Sequence, residues 1–273
     1  MRQTEAMRQT EALREAGAML DLSGVCVLNP RPERQAQALT TALANTGAQV
    51  FELPLLEIVA LDASAVMRQH LLDLDRYDAV VFVSANAARL GLAAVADYWP
   101  QWPHALPAYA VGPATKALLD DAGLCAIAPE REDSEGLLAL PGLTDVAGQR
   151  LLLFRGDEGR ELLPETLRER GATVDVMPLY TRRLPSDTFK RWQACTMMPD
   201  VVLLSSALIW QHWQQVAGAV AMQPALIAVS QRLAEQVRAA GAQQVFCSDG
   251  ATPQAWLKAL QHWQDSLRSS SSS

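Results

Sequence analysis

The feature that most constrains how this chain can fold is that it nearly repeats itself. A first module runs strand, helix, glycine, strand. Gly24 to Asn29 is apolar enough for a buried strand, Glu33 to Asn45 reads as a helix, and Gly47 stops it. A strand from Ala48 to Leu53 then closes on Pro54-Leu55. The plan recurs from Leu151, where an unbroken apolar run reaches Phe154 and a turn is bracketed by Gly156 and Gly159. Leu162, Leu163 and Leu167 fall on one helical stripe, Gly171 ends that helix, and a second strand reaches Pro178-Leu179-Tyr180. Gly47 to Pro54 and Gly171 to Pro178 span the same distance. A second kind of module starts at Asp78-Ala79-Val80-Val81-Phe82-Val83-Ser84 and recurs at Asp200-Val201-Val202-Leu203-Leu204-Ser205-Ser206. Each copy ends in a serine able to cap the next helix. Further on, Ala110-Val111-Gly112 matches Ala228-Val229-Ser230, Gly123 matches Gly241 and Ser134 matches Thr252.

Strands that are apolar throughout, alternating with helices, are the pattern of parallel sheets covered on both faces. The fold class is therefore α/β, with two small doubly wound domains. Spacing alone leaves open whether each first-type module pairs with the second-type module after it or with the other one. Pro54 to Leu61 and Pro178 to Leu184 read as extended and lack a tight turn. Two such connectors could run side by side as a two-stranded hinge, with the chain crossing twice and one domain split in sequence. At the amino end, Met1 to Ala6 recurs as Met7 to Ala12. Residues 1–21 are expected to be a helical or frayed extension, and residues 266–273 a disordered serine-rich tail.

Composition removes several functions. The net charge of −7 gives a field that repels nucleic acid and anionic lipid, so a polyanionic substrate would need local cationic groups. Cys26, Cys125, Cys195 and Cys247 lie far apart with no Cys-x-x-Cys pair, as expected of small buried thiols in a reducing compartment. His70, His104, His212 and His262 show no metal-ligand spacing. No apolar run reaches the ~20 residues of a membrane helix, and the polar amino end carries no secretory signal. A soluble, cytoplasmic protein is expected.

No Walker loop, G-x-G-x-x-G after a strand, G-x-S-x-G elbow or H-E-x-x-H is present, so nucleophilic and metal mechanisms have no visible machinery. What remains is six polar loops at carboxyl ends of strands. They contain Pro30-Arg31, Ser84-Ala85-Asn86, Gly112 to Thr115, Arg155 to Arg160, Ser205-Ser206 and Ser230-Gln231-Arg232. Each precedes a helix, where free N–H groups and the dipole favour an anion. Any one of them is most often a cap or a turn. Six in matched positions of two domains point to an anion-lined cleft. Arg155 and Arg160 add side chains suited to bidentate carboxylate contacts. Tyr180, at the presumed hinge, supplies a phenol that can donate a proton or a hydrogen bond. The helical spacing of Trp210, Trp213, Trp256 and Trp263 fits packing better than nucleic-acid stacking.

Taken together, these residues resemble one known family, the uroporphyrinogen-III synthases, over about Val25 to Trp263. The resemblance rests on Pro30-Arg31-Pro32, Pro54-Leu55 and Val83-Ser84-Ala85-Asn86-Ala87. It continues through Ala110-Val111-Gly112 with Thr115, Arg155-Gly156 with Gly159-Arg160-Glu161-Leu162, and Gly171 with Tyr180. Val229-Ser230-Gln231-Arg232-Leu233-Ala234 looks like the proteobacterial branch. Other branches carry Gly-Pro-Thr-Thr-Ala there, which leaves Arg232 as the candidate to take over carboxylate binding.

The resemblance implies two flavodoxin-like domains joined by a two-stranded β-ladder, residues 22–55 with 183–265 forming one and 58–180 the other. It implies a small-molecule substrate, the linear polycarboxylate hydroxymethylbilane, cyclised with loss of water and inversion of the terminal pyrrole. It implies no cofactor and no metal, no nucleic-acid or membrane partner, and a monomer that could contact the preceding pathway enzyme transiently. Tyr180 is then the expected catalytic residue. Arg31, Ser84, Asn86, Ala87, Gly112, Thr115, Arg155, Gly156, Arg160, Ser205, Ser206, Ser230 and Arg232 are the expected substrate-binding residues. Two rivals remain: an anion-binding protein without activity, and a degenerate relative used as a partner or regulator.

Overall fold

The computed structural model describes residues 20–270. The first elements are β1 (Cys26–Asn29), α1 (Glu33–Ala44), β2 (Gln49–Glu52), β3 (Glu57–Ala60), α2 (Ala65–Leu72), β4 (Ala79–Phe82) and α3 (Ala85–Ala96). Then follow β5 (Ala108–Ala110), α4 (Pro113–Asp121), α5 (Ser134–Leu138), α6 (Pro141–Thr144), β6 (Arg150–Gly156), α7 (Leu162–Glu169) and β7 (Thr173–Arg183). The last are α8 (Thr188–Gln193), β8 (Val201–Leu204), α9 (Ala207–Ala217), β9 (Ala225–Ala228), α10 (Gln231–Ala239), β10 (Val245–Cys247) and α11 (Pro253–Ser270).

These elements form two compact units, one ending at Glu57 and resuming at Arg183, the other Ile58–Arg182. The first unit has a sheet in the order β10-β9-β8-β1-β2, with every pairing parallel. The second has the order β3-β7-β6-β4-β5, and the pairings from β7 to β5 are parallel. Beyond β5, Ile127 adds a parallel bridge to Tyr109. The two orders coincide when β6–β7 is set against β1–β2, and β4, β5 and Ile127 against β8, β9 and β10. Each first-type module thus shares a sheet with the second-type module of the other repeat, which answers the pairing that spacing left open.

Alternation of side chains along each strand builds two core layers per sheet. In the first unit, Leu28, Val202, Leu204 and Leu226 face α9 and α10 through Ile209, Trp213 and Leu233. Their neighbours Val27, Val201, Leu203 and Ile227 face α1 and α11 through Leu39, Leu43, Trp256 and Leu260. In the second unit, Val80, Phe82, Leu152 and Phe154 pack on α2, α3 and α4, while Val81, Leu151 and Leu153 pack on α5, α6 and α7. Helices therefore cover both faces of both sheets, as all-apolar strands require. Gly47 and Gly171, at φ +81° and +88°, end α1 and α7 in the left-handed conformation that glycine reaches without a Cβ clash.

β7 continues past Tyr180 to Arg183, within the stretch that reads as extended, and β3 lies beside it, Leu61 N–H donating to Leu179 C=O at 2.9 Å. The two chain ends differ from expectation. α11 runs to Ser270, well into the segment expected to be a loose tail. At the amino end, Leu20 and Leu22 are buried in the core beside Trp263, so ordered packing begins inside the expected extension. Residues 1–19 and 271–273 lie outside the described residues. Among the described residues no helix is long and apolar enough to cross a membrane.

Candidate functional site

Because β4, β5 and β6 are parallel, the loops that follow them leave the sheet at one edge, the carboxyl edge where open α/β sheets bind ligands. These loops hold residues 84–87, 112–115 and 155–160. A cavity of about 370 Å³ lies at this edge, inside the second unit. Of the expected residues, Arg155, Gly156, Arg160 and Tyr180 line it directly. Ser84 joins them through Tyr180.

A local irregularity puts Tyr180 there. The β6–β7 register slips between Arg155 and Gly156, so that Tyr180, rather than Leu179, stands opposite Gly156. Such bulges re-aim side chains. The Tyr180 ring then lies over Gly156, where a Cβ would come within 2.8 Å of it. The Tyr180 phenol oxygen is 2.9 Å from Ser84 Oγ. Ser84 Oγ also accepts from Ala87 N–H at 3.0 Å, the N-cap bond of α3. The cap therefore fixes the serine that holds the tyrosine.

Arg155 is the second-to-last residue of β6 and is 9% exposed. Its Nη2 donates to Glu161 Oε1 at 2.6 Å and its Nη1 to Arg160 C=O at 3.2 Å. Nε is buried and has no hydrogen-bond partner among the described residues. An unmatched donor on a buried cation is costly unless something comes to it, so the group is suited to an anionic ligand. Gly159 closes over this side chain, since a Cβ there would meet Arg155 Cδ at 2.7 Å. The Arg160 side chain is exposed at the rim.

Acidic groups share the wall. Glu132, Asp133, Asp157 and Glu158 line the cavity with Arg182. The Gly136 N–H, helped by Arg131 and Arg160, holds the Asp133 carboxyl below the usual carboxylate range. Glu132 packs against Gly112, where a Cβ would meet its Oε2 at 2.8 Å. Thr115 is buried in the first turn of α4, Ala87 is buried in that of α3, and Asn86 beside it is half-buried. The sequence reading missed Glu132, Asp133 and Arg182. Arg182 had a signal, since it stands two residues from Tyr180 on one strand and so shares its side. Glu132 and Asp133 carry no strand or motif signal; they stand just before the helix that starts at Ser134, with Asp133 as its cap.

The first unit holds the remaining expected residues at the carboxyl edge of its own sheet. Ser206 and Ser230 cap α9 and α10, accepting from Ile209 N–H at 3.2 Å and Leu233 N–H at 3.4 Å. Ser205 is half-buried and Arg232 exposed. Arg31 donates to Ala251 C=O and lies over the Trp256 ring at 5.9 Å, and burial draws its guanidinium below the ordinary value.

A family profile described as "Uroporphyrinogen-III synthase HemD" matches residues 37–258. The chain belongs to the uroporphyrinogen-III synthase family. Uroporphyrinogen-III synthase of Salmonella typhimurium is 33% identical over 251 residues, covering 86% of this chain and 99% of the relative. The Escherichia coli enzyme of the same name is 31% identical over 245 residues, with the same shares covered. Among solved structures, a uroporphyrinogen-III synthase of Thermus thermophilus superposes with TM-score 0.62 at 16% identity, covering 89% of this chain and all of that one. Uroporphyrinogen-III synthetase of Helicobacter pylori gives TM-score 0.59 at 14% identity over 87% of this chain and 99% of that one. At such identities these two likenesses concern the fold.

Proposed function

We propose that this member of the family is an active uroporphyrinogen-III synthase, a lyase that converts hydroxymethylbilane to uroporphyrinogen III in the cytoplasm. The observation that carries the reading is the Tyr180 phenol, bound to Ser84, in the wall of a cavity that also contains the buried Arg155. The pyrrole is electron-rich and releases its hydroxyl readily once that oxygen is protonated. The protein's main task is then orientation. Arg155 and Arg160 supply carboxylate contacts for a ring carrying acetate and propionate groups. The cavity has room for one substituted pyrrole rather than a whole tetrapyrrole, so we assign it to the end ring that bears the hydroxymethyl group. Tyr180 protonates the departing hydroxyl there. Arg31, Ser205, Ser206, Ser230 and Arg232 stand at the equivalent carboxyl edge of the first unit's own sheet, where helix starts suit carboxylates.

We read each unit as a flavodoxin-like domain. The support is the strand order β2-β1-β8-β9-β10, which is the 2-1-3-4-5 order, and its counterpart β7-β6-β4-β5 continued by Ile127. The chain enters the second unit at Glu57–Ile58 and leaves it at Arg182–Arg183, within neighbouring strands β3 and β7. That supports the two-stranded hinge.

Analysis of the macrocycle isomer made from hydroxymethylbilane tests the reading. The ring-inverted isomer in excess over the spontaneous one is expected. If only the non-inverted isomer forms, this chain is a binding or regulatory relative instead.

A further inference from the structure

The Tyr180 phenol has a second neighbour that the reaction as described does not use. On β7, Arg182 lies two residues on, and its Nη2 donates to Tyr180 Oη at 3.4 Å. Its guanidinium carbon sits 5.7 Å from the centroid of the Tyr180 ring, over its face. Both residues line the same cavity. Unlike Arg155, which is paired with Glu161, Arg182 has no carboxylate within ion-pair distance among the described residues. Arg182 is exposed, and its side-chain partner among the described residues is the phenol.

We propose that Arg182 is a positioning residue that acts through Tyr180 by stabilising the phenolate formed when the substrate hydroxyl departs. The inference rests on the reading of Tyr180 as proton donor. In that step the Tyr180 O–H bond breaks and its proton bonds to the hydroxymethyl oxygen. The C–O bond breaks with its electron pair going to oxygen, and water leaves. Positive charge is left on the carbon and the pyrrole nitrogen, and negative charge on the Tyr180 oxygen. A cation interacts more strongly with a phenolate than with a phenol, so Arg182 lowers the barrier without tightening substrate binding. Ser84 O–H can turn to donate to the same oxygen. When the new carbon–carbon bond has formed, the ring carbon loses a proton as the pyrrole regains aromaticity, and the phenolate recovers one. Atoms and charge balance without a further reactant. The other charges facing this phenol across the cavity are Glu132 and Asp133 before α5, and Arg155, Asp157, Glu158 and Arg160 after β6.

Full-length Arg182→Gln and Arg182→Lys, compared with the unmodified chain, test the proposal. The kcat of Arg182→Gln should fall about tenfold with KM within about twofold, the mark of an interaction made in the transition state. Arg182→Lys should recover most of it, and thermal unfolding should not move. The second readout is coupling: in a Tyr180→Phe background, Arg182→Gln should cost almost no further kcat, because the group it acts through is already gone. An unchanged kcat in Arg182→Gln, or a full tenfold further loss in the Tyr180→Phe background, would overturn the proposal. Failure of the unmodified chain to make the inverted isomer would instead overturn the synthase reading.

Discussion

At the scale of single residues, the site depends on side chains that are absent as much as on those present. Gly156 is the clearest case, because the Tyr180 ring occupies the space a Cβ would need. Gly156→Ala should push the ring off Ser84, lowering turnover, and should cost about 1–3 kcal/mol as overpacking does. Urea unfolding alongside kcat would show both losses; a variant normal in both would mean that the ring need not lie where it does. Ser84→Ala has two consequences, since one oxygen caps α3 and holds the phenol. It should cost about 0.5–2 kcal/mol from the lost cap and lower turnover as well. The placing of Tyr180 and Arg155 near one sheet edge was legible, because both follow recognisable apolar runs. Arg182 carried a signal too, two residues beyond Tyr180 in a stretch that reads as extended, but nothing in the sequence sets its guanidinium against the phenol. The burial of Arg155 Nε was not legible either, since it arises from Gly159 folding back over the side chain.

At the scale of elements, β6 and β7 form a pair with the candidate site at one end and a structural lock towards the other. Arg150 at the start of β6 donates from Nε and Nη2 to Asp175 Oδ2 at 3.0 and 2.8 Å. Tyr77 O–H donates to the same oxygen at 2.8 Å, and the phenol then has only its lone pairs to offer His70 Nδ1, also 2.8 Å away. His70 Nδ1 is accordingly the donor in that contact. Burial alone would raise the Asp175 carboxyl, but the bonds from Tyr77 and Arg150 outweigh it and hold it below the usual range. Burial and then Asp175 push the Tyr77 phenol up. The sign follows for stability. A carboxyl lowered in the folded state stabilises it fully above its unfolded value near ~4, and that stabilisation disappears as pH falls through the lowered one. Asp175→Asn should therefore be less stable than the unmodified chain at neutral pH, and the gap should narrow below about pH 4. Urea unfolding at the two pH values measures it; a gap independent of pH would contradict this account. The strands themselves were legible from their apolar runs, whereas the contacts of Asp175, half-buried inside β7, come from residues distant in sequence and were not.

At the scale of the whole molecule, the arrangement of modules was legible as a repeat, but the partner of each module was not. Equal spacing carries no information on which strand lies beside which. The sheets supply it: β1 runs beside β8, and β6 beside β4. The amino-terminal repeat bears on the same scale. Removing residues 1–18 should leave activity intact, whereas removal through Leu22 strips two buried leucines from the core of the first unit and should lower the midpoint of thermal unfolding. A loss of activity with the shorter deletion would tie those residues to the site. The central claim is that one phenol, held by Ser84 beside two arginines, starts the reaction in a cavity of the second unit. Steady-state formation of the ring-inverted macrocycle from hydroxymethylbilane by Tyr180→Phe, compared with the unmodified chain, tests it most directly. The account predicts a kcat lower by ~10²-fold, the low end for a lost general acid, with thermal stability nearly unchanged. Turnover equal to that of the unmodified chain would contradict it.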